Sequence, residues 1–397
     1  MPAVRTPPRL LTLILLTSIS VLSLNMFLPS LKKIALEFEV DYGLASLSLG
    51  GYLAISALLQ LVMGPMSDKL GRRPVLLAGV TLFTLASIGC ALAGSIWVFL
   101  GFRVLQGGIV SGMVLSRAIV RDMAPPQEAA RLLAMIGTAM ALAPLMGPVI
   151  GGGLDEIFGW RANFWVFAGL GAGLFVLTWV DLGETNLTPS KSYTAQFRSY
   201  PELVSSKLFW AYCLLLVASV GGFYAFLGGA PQVGADLYGL TPSQLGLGMG
   251  STSTGFMAGT FLSTRLARHY PITRLMVWGR LVAALGPALA IIAIALGAGH
   301  PAVLFCGAIF VGLGNGITLP GANAGVMSVA PHLAGSASGL SGALTVGGGA
   351  VITGVVGALV AHEWGAYALL ASMVVTSLVG LWAARLITRL EAAQGGV

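Results

Sequence analysis

The stretch Gly64-Pro65-Met66-Ser67-Asp68-Lys69-Leu70-Gly71-Arg72-Arg73-Pro74 decides how the rest of the chain is read. One acid, three bases, two glycines and two prolines are packed between two long apolar runs. Turn residues and charge at that density predict a tight loop between two membrane helices, held on the side of the membrane that attracts basic residues.

Composition agrees. Of 397 residues, 56% are hydrophobic and 9% charged, against about 25% charged in soluble domains. With about 20 apolar residues needed per crossing, the length accommodates roughly twelve helices joined by short loops. A β-barrel would show alternating strands of about ten residues instead of unbroken apolar runs. The fold class is therefore an all-α integral membrane protein. The spans fall near 10–29, 44–64, 75–93, 96–118, 131–153 and 163–181. The second set falls near 208–229, 243–264, 274–297, 301–323, 338–360 and 364–386.

The net charge of +7 is scattered over separate loops, so it reflects membrane topology and implies no nucleic-acid partner. Placing the N-terminus inside leaves only Lys32, Lys33 and Arg161 in outer loops, with Arg103 and Arg280 inside spans. Both termini are thus expected in the cytoplasm. The 55 glycines suit close helix–helix approach. Cys90, Cys213 and Cys306 lie far apart within apolar spans and imply neither disulfide nor metal. The first apolar run is too long for a signal peptide and lacks a small-residue cleavage site, so it reads as the first span.

The longest polar stretch, 182–207, divides the chain into an N-terminal six-helix bundle (1–181), a cytoplasmic linker carrying Lys191 and Arg198, and a C-terminal six-helix bundle (208–397). Gly259–Pro271, between spans eight and nine, faintly repeats Gly64–Pro74 without its acid. Two six-helix halves related along the membrane normal form a transporter architecture, with the substrate site between them near the midplane.

The stretch Gly64–Pro74 resembles the loop motif of the major facilitator superfamily. Three further stretches match in register: Arg103-Val-Leu-Gln106-Gly107 in span four, Gly147-Pro148-Val-Ile-Gly151-Gly152 in span five, and Gly159-Trp160-Arg161-Ala-Asn-Phe-Trp165 opening span six. With Arg117-Ala-Ile-Val-Arg121-Asp122, Gly183-Glu184-Thr185 and Ala334-Gly-Ser-Ala-Ser-Gly339, the whole chain is similar to the bicyclomycin/chloramphenicol-resistance group of twelve-span drug:proton antiporters. The resemblance implies an exporter in a bacterial inner membrane, a small amphiphilic substrate, a proton gradient as energy source, no cofactor and a monomer.

The residues carry these expectations separately. Asp68, beside Arg72 and Arg73, is expected to latch the two halves at the cytoplasmic side, since such a pair acts only where partly buried. Arg103 lies about seven residues into span four, roughly 10 Å deep at 1.5 Å per residue. A guanidinium there normally faces a cavity or partner. Gln106, one turn on, shares its face. Pro148 with Gly147, Gly151 and Gly152 suits a helix that bends and lets a neighbour approach.

Asn25 is the departure that matters most. In Leu24-Asn25-Met26-Phe27-Leu28-Pro29 it stands where the resemblance leads one to expect an aspartate before an aromatic-Leu-Pro. An asparagine has nearly the same shape but neither pairs as an anion nor takes up a proton. All 14 acids and all 4 histidines fall in loops or at span ends, so no span is expected to carry a readily titrating group in its interior. Two explanations fit: altered coupling, or a deliberate neutral substitution that mimics a protonated aspartate and stalls the cycle. Arg280, six residues into span nine, faces the cavity or snorkels to the near surface. Asn315 and Asn323 flank Pro320 in span ten, where a broken helix would offer polar groups.

A cavity with Arg103 and no acid favours neutral or anionic amphiphiles over lipophilic cations. The rival transport reading is an exporter of an endogenous metabolite or siderophore. A membrane enzyme would need a cluster of acid, His, Cys or Ser at one depth, and a transport-dead receptor a sizeable soluble domain; neither pattern is present.

Overall fold

The computed structural model describes residues 8–186, 200–362 and 364–394. Arg5, most of the linker (with Pro189, Lys191 and Arg198) and Glu363 lie outside the described residues. The first six spans are built from α1 (Leu10–Asn25), α2 (Leu31–Glu37), α3 (Tyr42–Leu70), α4 (Arg72–Ala91), α5 (Ile96–Leu105), α6 (Val110–Met123), α7 (Pro126–Phe158) and α8 (Arg161–Asp181). A short α9 (Tyr200–Ser205) precedes α10 (Lys207–Tyr238), α11 (Pro242–Leu266), α12 (Ile272–Ala295), α13 (Ala302–Ser328), α14 (Ala334–Leu359) and α15 (Gly365–Gln394).

Among the described residues, eleven segments are long and apolar enough to cross a membrane. The twelfth, α11, is rich in Gly, Ser and Thr and therefore less apolar, yet it packs along α7 and α13 as a full member of the bundle. Most helices outrun their predicted spans, because a helix continues through polar residues at the membrane boundary where an apolar run stops. Span five grows from 131–153 to a helix of 33 residues, and span seven continues through the buried Pro231 to Tyr238.

The loop expected over Gly64–Pro74 is corrected in the same way. Helix α3 runs through Pro65 to Leu70, and the turn shrinks to Gly71 alone, with φ 97°. That left-handed backbone favours glycine. A Cβ there would also lie 2.4 Å from a carboxylate oxygen of Glu184. Helix α4 then begins at Arg72.

Spans one and four are broken in their interior. After Asn25 the chain turns through Met26 and Phe27 into a 3-10 turn at Leu28–Ser30, where Pro29 lacks the N–H a continuous helix would use. Between α5 and α6 lies a second 3-10 turn, Gln106–Ile109. Helix α1 packs on this second turn: the Ser20 hydroxyl donates to the Ile109 carbonyl at 2.7 Å.

An internal repeat is visible in the packing. A Cβ on Gly79 of α4 would stand 2.2 Å from Ser111 Oγ and 2.6 Å from the Gly108 carbonyl. A Cβ on Gly279 of α12 would stand 2.3 Å from Thr318 Oγ1 and 2.7 Å from the Gly314 carbonyl. Spans three and four are thus joined as spans nine and ten are.

The two sets of six spans meet at one end and part at the other. Away from Gly71, α7 lies on α11 so closely that a Cβ on Gly152 would sit 2.2 Å from the Pro242 carbonyl, and one on Gly246 2.1 Å from the Pro148 carbonyl. At the same end α3 and α14 run together, and the Tyr42 hydroxyl donates to the Gly228 carbonyl at 2.7 Å. At the end that holds Gly71 and most loop bases, the sets separate around a cavity of about 630 Å³.

Candidate functional site

Helix α5 carries Arg103 into the seam between the two broken spans, where it is 0% exposed. Its Nη1 donates to Gln106 Oε1 at 2.5 Å and to the Ser23 carbonyl at 3.4 Å, and its Nε to the Ser48 carbonyl at 3.3 Å. Gln106 Nε2 passes the network on to Ser87 Oγ of α4 at 2.7 Å. The guanidinium lies 4.2 Å from the centre of the Phe27 ring and 4.8 Å from that of Tyr52. Carbonyl dipoles and aromatic faces stand where a counterion would be expected for a buried cation. Arg103 Nη2 has no hydrogen-bond partner among the described residues.

Asn25 ends α1 beside this cage but is not joined to Arg103 by a hydrogen bond among the described residues. Its amide donates back to the Val21 carbonyl at 3.0 Å, and its Cβ faces Gly147 of α7, 3.5 Å from where a Cβ there would stand. Asn25 is 1% exposed, and its Oδ1 has no partner among the described residues. Helical spacing explains the geometry: Ser23 and Phe27, four residues apart, share the face turned towards Arg103, while Asn25 between them turns towards α7.

The four hinge residues of α7 divide between two neighbours. Gly147 and Gly151 lie against α1 and the break that follows it, whereas Pro148 and Gly152 lie against α11. A Cβ on Gly151 would fall 1.6 Å from the Met26 carbonyl oxygen, so only glycine admits the turn of span one here.

Arg280 neither snorkels nor reaches an open cavity. It is 0% exposed, with Nε donating to Thr318 Oγ1 at 3.1 Å and Nη2 to Asn315 Oδ1 at 2.6 Å. A Cβ on Gly380 of α15 would lie 2.8 Å from its Cδ, which places the side chain between α12, α13 and α15. Asn323 does not join it; that side chain is exposed and donates back to the Leu319 carbonyl at 2.9 Å.

At the basic end, Arg72 is 8% exposed and anchors a cluster. It pairs with Asp68 Oδ1 at 2.5 Å and Asp122 Oδ2 at 3.0 Å, and donates to Ser67 Oγ at 2.5 Å. Glu184 accepts from the backbone N–H groups of Arg72 and Arg73 at 2.9 and 3.2 Å, and Arg73 lies over Trp179. Among the described residues, every partner of Asp68, Arg72 and Arg73 belongs to the first six spans and the segment just after them. The expected bridge between halves is therefore absent in this conformation, because the cavity parts the halves here. Asp68, Arg72, Arg117 and Arg121 line one wall of that cavity, and the first turns of α14, Ala334–Gly339, line another.

Three features escaped the sequence. Asp155, read as a loop acid, is 1% exposed within α7; its Oδ1 meets Lys33 Nζ at 3.1 Å and its Oδ2 has no partner among the described residues. It is the one buried carboxylate among the described residues. Its spacing of four and eight residues from Gly151 and Gly147, one helix face, was the available signal. An ion pair of Lys32 with Asp236 ties the two sets of spans at the closed end. Cys306, although it lies within an apolar span, is exposed on the bundle surface, unlike the buried Cys90 and Cys213.

Two six-span sets that meet at one end and enclose a cavity at the other, around buried cationic networks, define a membrane transporter. The chain belongs to the major facilitator superfamily, whose family model matches residues 13–353; it is a multi-pass membrane transporter and not an enzyme. It is 31% identical to the "Uncharacterized MFS-type transporter YdgK" of Bacillus subtilis over 90% of each chain. It is 26% identical to "Multidrug resistance protein D" of Escherichia coli over 94% of each. Among solved structures, a bacterial homologue of the human lysosomal transporter Spinster, in an inward-facing and unoccupied conformation, aligns with TM-score 0.77 at 17% identity, covering 96% of this chain and 97% of that one.

Proposed function

We propose that the protein exports small amphiphilic compounds from a bacterial cell, as a monomer in the inner membrane, by rocking its first six spans against its last six. The observation that carries this reading is the one-sided cavity, closed by the α7–α11 and α3–α14 contacts and open between α3, α6 and the start of α14. Basic loops stay in the cytoplasm, so both termini lie inside and the cavity opens inward. A relative named for multidrug resistance supports a drug-like substrate.

The lining sets the charge of the cargo. With Arg72 already paired to Asp68 and Asp122, Arg117 and Arg121 leave the lining basic, which favours neutral or anionic amphiphiles. To expose the site outwards, the Lys32–Asp236 pair and the Gly152 and Gly246 contacts must separate. The basic end then closes and brings Asp68 to the N-terminal turns of α14, where a carboxylate is favoured by the helix dipole. This is the latch, open in the present conformation.

A proton gradient is the energy source expected for such exporters. The neutral amide of Asn25 takes up no proton, so coupling at this position is altered or disabled. Asp155 serves the closed end, tying α2 to α7 through Lys33. Arg117 and Arg121 in the cavity lining also favour a second reading, export of an anionic endogenous metabolite or siderophore.

The test is binding and susceptibility together. Overproduction should lower susceptibility to neutral phenicols, and purified protein should bind them more tightly than tetraphenylphosphonium. Tighter binding of the cation would overturn the charge assignment. Unchanged susceptibility with loss of metabolite release on deletion would favour the second reading.

A further inference from the structure

A recess of about 280 Å³ opens on the outer face of the bundle between α12 and α15, at the basic end and away from the transport cavity. Arg274 approaches it from the first turn of α12, and Arg385, Thr388 and Arg389 from one face of α15. No acid lies within ion-pairing distance of these three arginines among the described residues. The neighbouring Glu391 is engaged with the Tyr212 hydroxyl at 2.5 Å. Arg274 also sits at the positive end of the α12 dipole, next to backbone N–H groups that lack helical partners. All of these features favour an anion.

The rest of the recess is apolar. Val277 and Trp278 line it, and Trp278 is 39% exposed, edge-on to Tyr270 with ring centres 4.9 Å apart. Such a half-exposed aromatic pair at a span end belongs at the level of lipid headgroups. Three guanidiniums beside an apolar wall therefore match an amphiphile with a phosphate head and an acyl chain. Basic recesses between spans hold anionic headgroups in this manner, and paired arginines suit phosphate oxygens through bidentate hydrogen bonds.

We propose that this recess is a binding site for the phosphate headgroup of an anionic phospholipid. The bound lipid would bridge α12 and α15. Their seam also holds Arg280 against Gly380, about two turns deeper at 3.6 residues per turn, so occupancy is expected to stiffen the packing around that buried arginine.

The experiment uses the full-length protein, delipidated in a neutral detergent. Its thermal midpoint and its lipid adducts by native mass spectrometry are measured with cardiolipin, phosphatidylglycerol, phosphatidylcholine or inorganic phosphate. The expected result is a raised midpoint and retained adducts with the two anionic lipids alone. In Arg385→Gln and Arg389→Gln, both at exposed positions, apparent affinity should fall about tenfold, the loss of one charge-assisted contact. Arg268→Gln, on a separate exposed arginine, should behave as the parent. Equal stabilisation by phosphatidylcholine would overturn the proposal, as would anionic-lipid binding unaffected in both variants. Full stabilisation by inorganic phosphate would overturn the lipid as occupant and leave a soluble-anion site.

Discussion

Arg103 and Gln106, one turn apart in span four, are joined by a 2.5 Å hydrogen bond in a cage that holds no carboxylate among the described residues. The guanidinium is fixed by side chains and carbonyls from spans one, two and four and by two aromatic rings. A lysine places one point charge where this network needs a planar fork. Arg103→Lys should therefore lower substrate flux about tenfold or more, since one lost charged hydrogen bond is worth about 1.5–3 kcal/mol. Flux in proteoliposomes at matched protein density checks this; parental flux would show that the cage needs only a positive charge.

Asp68 and Arg72 separate a latch from a structural anchor. Arg72 keeps Asp122 and Ser67 when Asp68 is lost, and Asp68 is 43% exposed. Asp68→Asn should cost under about 1 kcal/mol of stability yet strongly slow transport. Arg72→Ala, which leaves two carboxylates without their cation, should lower the melting midpoint as well. Paired flux and thermal-melt measurements distinguish the two.

Gly151 and Gly153 form a controlled pair on one helix. A methyl group at Gly151 collides with the Met26 carbonyl, whereas one at Gly153 meets nothing within 4 Å. Gly151→Ala should destabilise by about 1–3 kcal/mol, typical of overpacking, and Gly153→Ala should melt as the parent does.

Lys32 and Asp236 lie on opposite sides of the closed end. In a Cys306→Ser background, which removes the exposed native thiol, cross-linking Lys32→Cys to Asp236→Cys should arrest transport, and reductant should restore it. Undiminished transport by the cross-linked form would contradict separation at this end.

The positions of all twelve spans were legible, because long apolar runs leave few other solutions in a bilayer. Their ends were not: α3 and α7 continue through charged and proline residues that an apolar criterion rejects. Arg103 with Gln106 could be read from helical spacing, and so could their shared face. The partners of Arg103 could not, since they are mainly carbonyls and rings, which carry no charge signature. Asp155 was missed because polarity alone suggested a loop, although α7 carries it under α2 to meet Lys33. Asp68 and Arg72 were found, but whether they bridge the halves depends on the conformation, which sequence does not encode residue by residue.

Coupling at position 25 is the central claim, and Asn25→Asp tests it most directly. The measurement is substrate flux in proteoliposomes with and without an imposed pH gradient, for parent and variant side by side. The expected result is a parental flux that responds little to the gradient and a variant flux that rises with it. Equal gradient-driven flux in both proteins would contradict the account and remove position 25 from the coupling path.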